Sequence, residues 1–170
     1  MKKILSCSAI ICLCFLFVSC KKDKNENTDY YISAKVGGEL VTYKTNAVAV
    51  KEQTDTIYNL ALTAFGDVTT GQQFYLQIAQ VNNPITAGTY VDAGDDALLV
   101  VGGYNPGTTD DSKIFAAGLQ VDSNPRLQIT ISSLTSTNVS GTFSGTYYDN
   151  GGDGPGIVAV TDGKFNLQLH

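Results

Sequence analysis

The stretch Gln73-Phe74-Tyr75-Leu76-Gln77-Ile78-Ala79 decides the fold class, because apolar and polar side chains alternate along it without a break. Successive side chains of a β-strand point to opposite sides of the sheet, so the apolar set would lie on one face and the glutamines and tyrosine on the other. The pattern therefore predicts a strand that is buried on one face and solvated on the other. The inward residues would be Phe74, Leu76 and Ile78.

The same alternation recurs along the chain, for example in Thr56–Ala64 and Val139–Tyr148. Turn signals separate such segments. Gly37-Gly38 suits a two-residue hairpin, and the run from Asp149 to Gly156 suits only a turn. About ten short strands at this spacing predict an all-β fold, and the polar outer faces favour an antiparallel two-sheet β-sandwich. We expect one such domain over residues 30–170.

The second half of the sequence carries several further local signals. Ala97–Val101 is apolar throughout, as in a strand covered on both faces, and Gly102–Ser112 reads as a long polar loop. Gly118 lies inside a further predicted strand, which indicates a bulge or a close backbone approach. Two separate strands, 157–160 and 164–169, would close the domain.

The N-terminal segment has the features of an export signal. Met1-Lys2-Lys3 is positively charged, and Ile4–Val18 is an apolar run of 15 residues broken only by two serines. That run is shorter than the ~20 residues a transmembrane helix needs, which disfavours the alternative of an uncleaved anchor helix. It ends in Phe17-Val18-Ser19-Cys20, which resembles the signal of bacterial lipoproteins.

This resemblance implies cleavage before Cys20 and attachment of lipid to its sulfur. Residues 1–19 would then be a lipoprotein signal peptide, and residues 20–29 the lipidated cysteine with a flexible polar tether. Acyl chains contribute ~0.8 kcal/mol per buried CH₂ group, so two or three of them anchor a protein stably. We expect attachment to the outer membrane of the cell envelope, with the periplasmic and the surface side both open.

Composition limits what the exported part can do. The chain has four cysteines, of which only Cys20 follows the cleavage point, so disulfides and thiol chemistry are not expected in the domain. Nine basic and sixteen acidic residues follow the signal peptide, a net charge of −7. That charge argues against nucleic acid as a partner.

Candidate catalytic groups are sparse. The one histidine is His170 at the end of the sequence, where a general base would lack a fixed position, and an exposed tail is the alternative. The three glutamates lie near the N-terminus, and the aspartates fall mostly in turns, where they cap and solvate. We therefore expect no enzymatic activity.

One loop supports a calcium hypothesis. Asp149, Asn150 and Asp153 lie in a glycine-rich run, and hard cations take several oxygen ligands from such loops. The run lacks the spacing and the closing glutamate of an EF-hand, so a plain hairpin turn is the alternative. The acidic segment Asp92–Asp96 is a second, weaker candidate.

Tyrosines raise the question of carbohydrate binding. Tyr104 stands beside Asn105, and Tyr147 and Tyr148 precede the glycine-rich run, although tyrosines in strands are more often packed against neighbours. The segment beginning at Asp55 (Asp55-Thr56-Ile57) resembles the acceptor motif for O-glycosylation in Bacteroidota, which would require Thr56 to be exposed.

Three motifs in the last third carry a wider resemblance: LQITI at 127–131, VSGTFSG at 139–145 and VTDGKFN at 160–166. They resemble a Bacteroidota lipoprotein family of unknown function. The resemblance implies an all-β exported domain and supplies no catalytic residues. The first hypothesis is a non-enzymatic binding or envelope-structural module, with a glycan or an envelope protein as partner. The alternatives are a carbohydrate-binding accessory protein of a surface glycan system and a calcium-stabilised adhesion domain.

Overall fold

A computed structural model describes residues 29–91, 97–107, 114–118, 126–149 and 156–170. None of these segments forms a helix that is long and apolar enough to cross a membrane. The described residues form eleven strands: β1 (Tyr31–Val36), β2 (Glu39–Tyr43), β3 (Thr45–Thr54), β4 (Ile57–Phe65), β5 (Gln73–Val81), β6 (Gly88–Val91), β7 (Leu98–Asn105), β8 (Phe115–Ala117), β9 (Gln128–Leu134), β10 (Asn138–Asp149) and β11 (Ile157–Leu169).

The strands confirm the all-β prediction and form two groups that face each other. One group has the order β2-β1-β11-β10-β9-β6, and the other has the order β3-β4-β5-β7-β8. Hydrogen bonds join the groups at two corners, where β11 pairs with β3 and β10 pairs with β8. The β11–β3 pairing is parallel, which is a local exception to the antiparallel arrangement that the sequence predicts.

The core lies between the two groups. Phe74 of β5 is its centre, with ring centroids 5.0 Å from Tyr104, 5.5 Å from Phe143 and 5.7 Å from Tyr43. Phe143 belongs to β10 and Tyr43 to β2, so these contacts span the space between the two groups. Such tilted and edge-on aromatic pairs stabilise by about 0.5–1.5 kcal/mol each beyond the area they bury.

The burial of side chains along β5 agrees with the alternation in its sequence. Phe74, Leu76 and Ile78 are fully buried, while the residues between them are partly exposed on the outer face. The first hairpin is also confirmed, because Gly37 and Gly38 connect β1 to β2 with φ of 58° and 93°. Both angles lie in the region that a two-residue hairpin turn of the primed type requires.

The region around β7 differs from expectation. Leu99 is 43% exposed, so this strand is not covered on both faces. The predicted loop at Gly102–Ser112 is also wrong at its start, because β7 continues to Asn105 and turns Tyr104 into the core. Two adjacent glycines suggested a loop, but Gly102 is needed for packing, since a Cβ there would lie 2.5 Å from the Tyr147 hydroxyl. Residues 108–112 lie outside the described segments.

Gly118 does mark a close backbone approach. It has φ of 87°, and a Cβ there would lie 1.9 Å from the carbonyl oxygen of Val100. The strand predicted to run through it ends at Ala117 instead, because the left-handed backbone at Gly118 does not continue a ladder.

The two predicted closing strands are a single strand, β11. Asp162 has φ of 53°, and the register with β10 slips by one residue between the Phe143–Gly163 and Gly145–Val160 pairs. This is a β-bulge, in which the strand gains a residue and bends but keeps its pairing. An Asp-Gly pair reads as a turn in sequence, whereas here its conformational freedom is used within the strand.

Candidate functional site

Several predicted site residues lie outside the described part of the chain. These are Cys20, which carries the lipidation prediction, and Asn150 and Asp153, which carry most of the calcium prediction. Both predictions remain predictions. Among the described residues, no group of three or more histidine, cysteine or acidic side chains is placed to hold a metal ion.

Asp149, the remaining member of the calcium prediction, is the last residue of β10. Its amide donates to the carbonyl oxygen of Gly156 at 2.9 Å, which closes the base of the β10–β11 connection. The Asp149 carboxylate lies over Gly156, where a Cβ would be 2.2 Å from Oδ2. A side chain at residue 156 would therefore require the Asp149 carboxylate to move from this position.

The tyrosines that suggested a carbohydrate platform are largely internal. Tyr104 is only 8% exposed and Tyr147 is fully buried, while Tyr148 is half-buried. The packing alternative is therefore correct for Tyr104 and Tyr147. Burial raises the pKa of Tyr147, and its hydroxyl has no hydrogen-bond partner among the described residues.

Two other residues are placed as follows. Thr56 is exposed at the tip of the β3–β4 hairpin, next to Asp55 with φ of 52°, so the exposure that a glycosylation site requires is present. His170 is exposed, but it is not a free tail. Its amide donates to Ala49 at 2.9 Å and its carbonyl oxygen accepts from Lys51 at 3.3 Å.

The outer face of β4 and β5 carries an ordered set of uncharged polar side chains. Gln77 is central, since its Nε2 donates to Asn59 Oδ1 at 2.8 Å and its Oε1 accepts a short hydrogen bond from the Tyr75 hydroxyl. Gln73 Nε2 donates to Thr63 Oγ1 at 2.9 Å on the same face. We call these five residues the amide–tyrosine array.

The array is held in place by strand register. Thr63 pairs with Tyr75 and Ala61 pairs with Gln77, so the members on β4 and β5 are cross-strand or diagonal neighbours. The hydroxyl of Thr63 also donates to the carbonyl oxygen of Phe74 at 3.3 Å. Because Phe74 packs at the centre of the core, this hydrogen bond ties the array to the close-packed interior.

Shallow depressions lie at both ends of the array. One has a volume of about 300 Å³ and is lined by Glu52, Thr54, Ile57, Asn59, Gln77 and Ala79. The other has a volume of about 120 Å³ and is lined by Gln73, Tyr75, Gly103, Tyr104, Asn105 and Ile114. Gly103 pairs with Tyr75, and its lack of a side chain leaves the flank of the tyrosine ring open.

Tyr75 is neutral at physiological pH. Partial burial raises the pKa of its phenol above the ordinary value near 10, so the hydroxyl stays protonated. It donates a hydrogen bond to Gln77 Oε1. The array as a whole therefore offers uncharged donors and acceptors at fixed positions.

A second groove, of about 280 Å³, lies on the opposite outer face beside the β11 bulge. Its lining joins the three sequence motifs, since Thr130, Thr142 and Lys164 come from β9, β10 and β11 and pair in one row. The Asp162 carboxylate there is bound by Lys35 Nζ at 2.8 Å, and this hydrogen bond lowers the pKa of Asp162. Because that charge is already paired within the protein, the groove is the weaker candidate for a binding site.

Sequence reasoning placed Tyr75 and both glutamines on the outer face but gave them no role. The available signal was the outward run of glutamine, tyrosine and glutamine at alternate positions of one strand. The contribution of Asn59 and Thr63 depends on the register of β4 against β5, which no local pattern reveals.

Comparison with protein-family models, with curated proteins and with solved structures gives no match to this chain.

Proposed function

We propose that this protein is a lipid-anchored, non-enzymatic binding module of the outer membrane, related to the Bacteroidota lipoproteins of unknown function that its motifs resemble. The signal ending at Cys20 supports the anchor, and the polar run Lys21–Asp29 supports a tether between membrane and domain. The partner is a component of the cell envelope, either a glycan or a protein.

The amide–tyrosine array is the observation that carries the binding role. Polar side chains on a solvated sheet face normally move freely, and ordering them on binding costs about 0.5–1.5 kcal/mol per side chain. In the array this ordering has already occurred, because Gln77 is held from both sides by Asn59 and Tyr75. Preorganised polar groups at fixed positions provide the orientation and specificity of a recognition site.

The anchor is tested by metabolic labelling with an alkyne fatty acid, followed by membrane fractionation. The wild-type protein is expected to carry label and to sediment with the outer membrane, and Cys20→Ala to lose both. Cys14→Ala is the matched control, because Cys14 would leave with the signal peptide and its loss should change neither readout. A labelled Cys20→Ala protein would disprove lipidation at this residue.

The binding role is tested by retention of the purified full-length protein, in detergent, on a delipidated envelope fraction. A Tyr75→Ala/Gln77→Ala double variant is expected to lose retention. The control is Gln128→Ala/Thr142→Ala, which removes polar groups from the opposite outer face. Equal retention of both variants and the wild type would exclude the array as the binding surface.

A further inference from the structure

We infer that the amide–tyrosine array binds a neutral glycan chain, which lies along β5 with one sugar ring against Tyr75. This inference rests on the proposed binding function and assigns its ligand class. It depends on three features of the described residues: the orientation of Tyr75, the hydrogen-bonding capacity that the array leaves unused, and the absence of charge among its five members.

The Tyr75 ring extends along the sheet surface. Its hydroxyl reaches the side chain of Gln77, two residues further along the same strand and about 7 Å away at the backbone. A ring that pointed straight out from the sheet could not make this bond. Gly103 on the neighbouring strand adds no side chain over it, since even a Cβ there would lie 3.9 Å from Tyr75 Cδ1. As far as the described residues show, the ring is half-buried with an uncovered flank, which suits contact with the C–H face of a sugar.

The array has donors and acceptors left over. Among the described residues, Asn59 uses its Oδ1 and keeps both N–H groups of Nδ2, while Gln77 Nε2 uses one of its two N–H groups on Asn59. Gln73 donates through Nε2, which leaves its Oε1 as an acceptor among the described residues. Sugar hydroxyls both donate and accept, so they match a surface that offers both kinds of group on either side of an aromatic ring.

Charge and topology argue against nucleic acid and against an extended peptide as the ligand. Nucleic acid needs cationic side chains, and the array has none. An extended peptide binds by adding a strand to a sheet edge, whereas β4 and β5 are both paired on both sides. A neutral polyhydroxylated chain requires neither a counter-charge nor an edge.

The two depressions extend the site beyond Tyr75. Ala79 lines the larger one and Gln73 the smaller one, and these residues are six positions apart on β5. At the usual rise of a strand this separation is about 20 Å, which exceeds a single sugar ring. The site therefore fits an oligosaccharide segment of a longer chain, with the aromatic contact near the end marked by Gly103.

The test is affinity electrophoresis of the full-length protein, in detergent, through gels that contain one polysaccharide each. The probes are a mixed-linkage β-glucan, a galactomannan, an α-glucan, polygalacturonate and the protease-treated polysaccharide of the envelope. We expect retardation by a neutral polymer or by the envelope polysaccharide, at least a tenfold loss of affinity in Tyr75→Ala, and a smaller loss in Gln77→Ala. Gln128→Ala should behave as the wild type.

Gly103→Val and Tyr75→Phe keep the test independent of folding defects. A Cβ at position 103 meets nothing closer than 3.9 Å, so the side chain of Gly103→Val starts without a clash, extends into the smaller depression and should weaken binding. Tyr75→Phe retains the ring and should lose less affinity than Tyr75→Ala. Retardation only by polygalacturonate, retardation that none of the array variants changes, or no retardation by any probe would overturn the glycan inference. Retention on the untreated envelope that depends on the array but is abolished by protease would also overturn it, while leaving the binding function intact.

Discussion

The ring of Phe165 lies over Gly141 on the neighbouring strand, with its Cζ only 2.6 Å from where a Cβ at residue 141 would be. The reverse pair follows two residues along, where Phe143 lies opposite Gly163 and covers it in the same way. Two of the three strands that carry the sequence motifs, β10 and β11, are thus joined by reciprocal glycine–phenylalanine pairs. This arrangement explains why a glycine stands two positions before a phenylalanine in both motifs.

Gly141→Ala is expected to lower the free energy of unfolding by about 3 kcal/mol or more. The added methyl group would lie 2.0 Å from the carbonyl oxygen of Thr130, which is backbone and can yield only by distorting the β9–β10 pairing. Urea unfolding measures the change. Gly103→Ala is the matched control, with a change below about 1 kcal/mol, because its Cβ meets nothing closer than 3.9 Å. Equal stabilities of the two variants would contradict the close packing at Gly141.

Tyr147→Phe is expected to leave stability unchanged or to raise it by about 1–2 kcal/mol. The buried Tyr147 hydroxyl has no hydrogen-bond partner among the described residues, and an unsatisfied buried polar group costs about 1–3 kcal/mol. Tyr90→Phe provides the contrast, because the Tyr90 hydroxyl accepts from the amide of Thr86 and donates to its carbonyl oxygen, both at 2.9 Å. Thermal unfolding should show a Tm below that of the wild type for Tyr90→Phe but not for Tyr147→Phe.

Phe74→Ala is expected to cost about 3–5 kcal/mol, as is usual when a large aromatic residue is removed from a core. Phe74 contacts three other rings, so its loss leaves a cavity that spans both strand groups. Phe74→Leu should cost less because the remaining cavity is smaller. If denaturant unfolding gave similar values for Phe74→Ala and for Leu99→Ala on the outer face, the central role of Phe74 would be refuted.

The Lys35–Asp162 pair is expected to make stability depend on pH at both extremes. The hydrogen bond from Lys35 lowers the pKa of Asp162, so its stabilisation is present at neutral pH and is lost as the pH falls through that lowered value. The same bond raises the pKa of Lys35, so on this side the stabilisation is complete below about 10.4 and is lost as the pH rises through the raised value. Both groups are exposed, so the effect should be small and should shrink in about 1 M salt.

Asp162→Asn removes the negative charge and keeps the backbone unstrained, because asparagine tolerates the left-handed conformation that residue 162 adopts. Its Tm should fall less steeply than that of the wild type when the pH is lowered from neutral to about 3. Some acid sensitivity should remain, because hydrogen bonds from Thr69 also lower the pKa of Asp67. Asp162→Ala should be less stable than Asp162→Asn at every pH, since it also loses a residue suited to φ of 53°. Identical acid profiles for Asp162→Asn and the wild type would argue against the pair.

Local patterns predicted the elements better than their connections. The alternation in β5 and the glycine pair between β1 and β2 are rules of period and turn geometry, and both hold. The strand predicted at β7 is too short because Gly102 and Gly103 resemble the start of a loop. In the structure Gly102 instead makes room for Tyr147 from a distant strand. The same limit applies to the array, in which Tyr75 and Gln77 are visible in one strand but Asn59 reaches them only through register.

The position of β11 has a consequence for the order of events during synthesis. This strand is the last along the sequence, yet it lies between β1 and β10 and also pairs with β3, so it connects the earliest and latest strands. A chain that emerges from a ribosome or a translocation channel with its N-terminus first cannot complete the β2-β1-β11-β10-β9-β6 group, or join it to β3, until this segment arrives. It is expected to remain an open chain throughout its passage, and removal of residues 157–170 should leave the whole domain sensitive to protease.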